Sequence, residues 1–245
     1  MLKPRFRKII GEFFAIGGNH DLPAYQKSRI EILDFLREED IMLLPWDDEN
    51  IVLGKDLIHY IDATINFSET TNREEAYRFL KPFLDRMLET DENNWHYYHL
   101  KLIVSCLGFT DTIEDALLLE KKILHRAAQF SQLRDTQILE AVTACQMGTR
   151  ILEVKLFEQN VSDKLERKFK NQIRKLKDLT DADKSLEFYW YLGRIRWEIF
   201  NGHLKSARNL CDELESYADK RVAQMMRKEV EIYSAKLPDN EENAS

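Results

Sequence analysis

The chain is poor in the residues that punctuate a fold, with 8 glycines and 5 prolines in 245 residues. An all-β architecture needs a turn every ten residues or so, and this sequence cannot supply them. It has no apolar run approaching the ~18 residues of a membrane span, and no apolar core of a signal peptide at its N-terminus. Cysteine is scarce too: Cys106, Cys145 and Cys211 are far apart, form no C-x-x-C pair and are odd in number. They read as small apolar residues of helix cores in a reducing compartment rather than as a disulfide framework. These absences lead to the expectation of a cytoplasmic protein. An excess of positive charge is also missing, since 36 basic residues face 43 acidic ones for a net charge of −7. That balance is unlike a dedicated nucleic-acid-binding protein.

The sequence also lacks catalytic signatures. It contains no G-x-S-x-G, no H-E-x-x-H and no glycine-rich phosphate loop, so it is read as non-enzymatic and free of cofactors. Gly-Gly-Asn-His-Asp at 17–21 looks like one metal-binding block of calcineurin-like phosphoesterases. A two-metal site needs several further ligand blocks, and no Asp or His precedes Gly17. The segment is better read as a helix end, with Asp21 capping the next helix. His96 and His99, three apart on one helix, have no second ligand pair at metal-site spacing. No metal is expected.

What remains is a succession of amphipathic helices. Arg5–Ile16 opens with Phe6, Ile9, Ile10, Phe13 and Phe14 on one face. Pro23 suits the first turn of a second helix, ending near Glu38. After Pro45, Trp46 and the acids Asp47, Asp48 and Glu49, a third spans about Lys55–Phe67. Thr70 or Thr71 can cap a fourth, Arg73–Glu89, in which Pro82 predicts a kink or a shifted start. The stretch Asn94–Asp111, NWHYYHLKLIVSCLGFTD, forms a fifth and stops at Gly108. Further helices follow at Thr112–Phe130, Leu133–Gln159, Asp163–Leu179, Asp183–Phe200, His203–Tyr217 and Lys220–Lys236.

Two of these stand out. Asp163–Leu179 carries Leu165, Phe169, Ile173 and Leu176 as a stripe, with seven Lys and Arg filling the rest. That face is a solvated surface or a phosphate contact. Asp183–Phe200 is apolar nearly all round, which places it in the centre of a stack, in a dimer interface or against a ligand groove. From Arg73 onwards the helices pair at intervals of about 35–45 residues, the period of a tetratricopeptide-like α-solenoid. The predicted fold is therefore all-α, about eleven helices in antiparallel pairs, as one helical-repeat domain over 1–237 with a polar disordered tail at 238–245.

WHYYHLKLIVSCL at Trp95–Leu107 resembles the W-x-Y-Y-E-L-x-L-F-x-N block in the C-terminal regulatory domain of Rgg/MutR-type transcriptional regulators. FRKIIGEFFAIGGNHDLPAYQK resembles the helix and turn that open that domain, and LTDADKSLEFYWYLGRIRWEIFNGHLKSA its late segment. His99 and Ser105 stand where that block has Glu and Asn. The resemblance implies a homodimeric regulatory or interaction protein that binds a short peptide or a partner protein in a concave groove. No helix-turn-helix is expected within residues 1–60. Polar groups on the longest helices, namely His99, Gln146, Arg150, Tyr191 and Arg194, are the candidate groove residues, since Arg grips carboxylates in two-pronged fashion and Tyr adds apolar area with one hydrogen bond. The alternatives are a regulator that contacts DNA through the basic helix Asp163–Leu179, and a pure protein–protein scaffold.

Overall fold

The computed structural model describes residues 2–16, 21–70, 72–130, 135–158, 161–216 and 220–236, and these contain twelve α-helices and no strand. None of the helices is long and apolar enough to cross a membrane. The glycines of the Gly-Gly-Asn-His-Asp segment and the C-terminal tail lie outside the described residues. The chain divides into two compact units, Met1–Phe109 and Thr110–Ser245.

In the first unit the helices are α1 (Pro4–Ile16), α2 (Leu22–Leu36), α3 (Glu39–Met42), α4 (Glu49–Thr70), α5 (Arg73–Glu89) and α6 (Tyr97–Cys106). Helix α1 packs on α2, α2 on α4, and α4 on both α5 and α6. The apolar face of α1 is buried as its spacing requires, and Phe6 stacks on Phe35 of α2 at 4.6 Å between ring centroids. Asp21 caps α2 by accepting from the Ala24 N–H.

Helix α4 begins six residues before its expected start. The acids after Trp46 lead into its first turn: Glu49 opens the helix, and just before it the Asp48 carboxylate accepts from the backbone N–H of Asn50 at 2.8 Å. Acidic groups there complement the helix dipole, so a cluster that reads as a loop is a helix start. Helix α5 matches its expected bounds, but its cap is Asn72, whose side chain accepts from the Glu75 N–H. The helix is continuous through Pro82, which sits on the exposed side. The carbonyl it leaves unpaired, that of Arg78, can bond water there. Only part of Asn94–Asp111 is α-helical. Trp95 lies before α6 yet is buried, and Gly108 falls in a 3-10 turn, Leu107–Phe109.

The second unit comprises α7 (Ile113–Ala128), α8 (Asp135–Glu158), α9 (Asp163–Ala182), α10 (Glu187–Phe200), α11 (Leu204–Leu214) and α12 (Lys220–Ser234). Each packs on the next in sequence, and α10 packs in addition on α8 and α12. The helix that is apolar all round is thus the centre of this unit: α8, α9, α11 and α12 all touch α10. None of its residues is classed as exposed. Close approach depends on two glycines. A Cβ on Gly193 of α10 would fall 2.5 Å from Leu176 Cδ1, and one on Gly148 of α8 would fall 2.7 Å from Phe169 Cε2. After α10 the chain reverses through Gly202 at φ 75°, which only glycine adopts without strain. The His203 N–H then bonds the Glu198 carbonyl at 2.9 Å, closing the helix end. All three cysteines are free and buried. Burial pushes the Cys145 thiol up to about 12 and that of Cys211 to about 11, so neither is an available nucleophile at neutral pH.

Candidate functional site

Helix α9 carries an open groove of about 670 Å³ lined by Lys164, Arg167, Lys168, Asn171, Gln172 and Lys175. All six belong to α9 and recur at the spacing of one helix face. Ser162 starts the helix by accepting from the Leu165 N–H, and Phe169, Ile173 and Leu176 bury the neighbouring stripe. Burying that stripe fixes the rotation of α9, and with it the direction in which the cations project. Lys170 and Lys177 fall on the far flank, and Arg174 borders the groove without lining it.

Beneath the groove lies a built polar layer. Glu120 of α7 is 7% exposed; it accepts from Gln172 Nε2 at 3.0 Å and from the Lys168 ammonium at 2.5 Å. Glu140 of α8 pairs with Lys175 at 2.9 Å. Gln172 is itself 7% exposed, and its Oε1 has no hydrogen-bond partner among the described residues. A buried amide oxygen left without a partner costs about 1–3 kcal/mol. Ammonium and amide groups converging in this way bind carboxylates or phosphates through charge-assisted hydrogen bonds. The basic face was legible in the sequence, but Glu120 was not, because it lies within an apolar stripe 52 residues before Gln172. The available signal was Gln172 itself, a polar residue at a position the apolar stripe should occupy.

The five candidate residues read from the sequence are placed differently. His99 is in the first unit, and the other four are in the second. Arg150 is buried, donating to the Asp111 carbonyl at 2.6 Å and to Glu153 at 3.0 Å, so it fastens the start of α7 to α8. Tyr191 is buried and donates to Glu213 of α11 at 3.3 Å. Arg194 is half-exposed and pairs with Glu198 at 2.5 Å, while Gln146 is half-buried on α8. Arg150 therefore reaches towards α7 and Tyr191 towards α11, and the two do not converge. None of the five lines the α9 groove.

His99 belongs to a buried polar cluster in the first unit. Its Nε2 lies 3.6 Å from Asp56, which the guanidinium of Arg86 also contacts. Burial first, then the charges of Arg86 and His96, push its pKa down to about 4. His99 is neutral at pH 7, so its approach to Asp56 is not an ion pair there. The unfolded chain takes up this proton below about pH 6.5, whereas the folded protein resists until about pH 4, so stability falls across that window. From pH 7 to pH 5 the loss expected from this group is about 2 kcal/mol. Asp56 has its pKa raised by burial against the pull of Arg86, which gives an opposite contribution on protonation. Comparison with His99→Gln isolates the histidine, because Asp56 is common to both proteins. Urea unfolding at pH 7 and pH 5 should show the variant losing about 2 kcal/mol less than wild type. Equal losses would sink this assignment.

Among the described residues no group of three or more His, Cys, Asp or Glu is placed to hold a metal ion. Comparison of the chain with protein-family models, curated proteins and solved structures gives no match in any of the three.

Proposed function

We propose that the chain is a non-catalytic regulatory or interaction protein that binds a short peptide or a partner protein along a groove of its helices. This is the role implied by its resemblance to the sensor domain of Rgg/MutR-type regulators, and it carries with it a homodimeric, cytoplasmic protein of tetratricopeptide-like build. The observation that supports the reading most is the open groove on α9, with its cations projecting from a rotationally fixed helix over a buried Glu120–Gln172 layer. A groove about three helical turns long matches an extended peptide better than a compact metabolite.

A pool of short synthetic peptides, apolar and acidic, titrated against the full chain tests this. A peptide at about 100 times its Kd stabilises by about 2.7 kcal/mol, a rise in Tm of several degrees for a protein of this size. No rise with any peptide, and no polypeptide bound in the same samples by mass measurement, would sink the reading.

A second reading, direct contact with DNA through α9, is favoured by Lys170 and Arg174, both exposed and outside the groove lining. It predicts retardation of duplex DNA at low salt that weakens steeply as salt rises.

A further inference from the structure

We propose that the α9 groove is specific for an acidic polypeptide segment, bound extended over about five residues, with its carboxylates paired to Lys164, Lys168 and Lys175. This rests on the reading of the chain as a polypeptide-binding protein, and it names the chemistry of what is bound. At 1.5 Å rise per residue, Lys164 to Lys175 spans about 16 Å along α9. An extended chain covers that length in about five residues, and its alternate side chains, roughly 7 Å apart, face the same side. Acids at every second position therefore meet the cations in turn.

The ion pairs already present fit this occupancy. Lys168 is held by buried Glu120, but an ammonium carries three donors, so it keeps that bond and still meets a ligand carboxylate. Lys175 is held by Glu140, whose side chain is 30% exposed, and a pair that open to water is weak and readily exchanged. Glu120 thus positions, whereas Glu140 competes.

Two features favour polypeptide over nucleic acid. The groove walls are largely the methylene stems of its lysines and arginine, which suit apolar side chains between the acids. Lastly, Asp163 and Glu166 at one end of α9 and Asp178 and Asp181 at the other leave no continuous basic track for phosphates.

The test uses the full chain and a fluorescein-labelled hexapeptide of alternating glutamate and leucine, read by anisotropy at low salt. The groove double variant Lys164→Glu/Lys175→Glu should weaken binding by about tenfold, or about 1.4 kcal/mol. Lys170→Glu/Lys177→Glu makes the same charge change on the flank of the same helix away from the groove, and should move the affinity by less than about twofold. Both variants alter surface side chains, and an unchanged Tm establishes that each is folded. A matching lysine–leucine hexapeptide should not bind. Equal weakening by both variants overturns the proposal, as does equal binding of the lysine probe. Duplex DNA bound with the same sensitivity to the groove variant overturns it in favour of a nucleic-acid site. If peptides of the general pool bind while the glutamate probe does not, acid specificity fails and the polypeptide-binding reading stands. If no peptide binds at all, both fail.

Discussion

Replacing Arg196 with alanine is expected to destabilise the protein by about 3–5 kcal/mol, because it strands Glu229 in the packed second unit. The two side chains are only 11% and 16% exposed, and they meet fork to fork, Nε to Oε1 at 2.8 Å and Nη2 to Oε2 at 3.1 Å. Burial opposes the charge on Arg196, yet the charge and hydrogen bonds of Glu229 outweigh it and hold its pKa above the ordinary value. The pair ties α10, the central helix of the unit, to α12. Removing both charges is a different experiment. Arg196→Met/Glu229→Met keeps most of the volume and leaves no orphaned charge, so it should fall within about 1.5 kcal/mol of wild type or exceed it. Urea unfolding at pH 7 measures all three proteins. If the double variant loses as much as the single one, the pair is not acting through desolvation.

Phe169→Ala carries a comparable expected loss, about 3–5 kcal/mol. Phe169 is fully buried on the inner stripe of α9, with Trp197 and Phe200 edge-on at 5.3 and 5.4 Å. It also presses on Gly148, which makes the effect separable from generic cavity formation. Gly148→Ala alone places a methyl against the Phe169 ring and should cost about 1–3 kcal/mol. In the Phe169→Ala background the same methyl enters vacated space and gains helix propensity of about 1 kcal/mol, so its sign should reverse. Additive losses would mean that Gly148 is held by something other than the ring. Both variants bear on function as well as stability, since this packing sets the rotation of α9 and hence where the groove cations point.

Local signals made much of the helical layout legible in the sequence. Arg73–Glu89 has acids in its first turn and a regular stripe, and its bounds are those of α5. The polar break at Thr110–Asp111 marks the start of α7 to within two residues, although the cap is Thr112, whose side chain accepts from the Asp115 N–H. Asp163 opens α9 because its stripe is the cleanest in the chain, though the helix runs on to Ala182. The misreadings share a cause. The acids Asp47–Glu49 are polar whether they form a loop or a helix start, and only backbone bonds such as that from the Val52 N–H to the Asp48 carbonyl decide between them.

The site was legible only in part. Helical periodicity tells which residues share a face, and it picked out the basic side of α9. It says nothing of partners 30 to 50 residues away. Glu120 under Lys168 and Gln172, Glu140 under Lys175, and Glu229 against Arg196 were all invisible for that reason. The same blindness explains Arg150 and Tyr191. A polar group on a long helix reads as available for a ligand, but both are committed to other parts of the fold, to the Asp111 carbonyl and to Glu213.

The most direct measurement is to map a bound peptide onto the chain by amide chemical-shift perturbation, using the tightest binder from the peptide pool. Binding in the α9 groove predicts the largest shifts over 164–175 and at Glu120 and Glu140, with Gln146, Arg150, Tyr191 and Arg194 little changed. Shifts centred on those four residues or on His99, with α9 silent, would contradict the account.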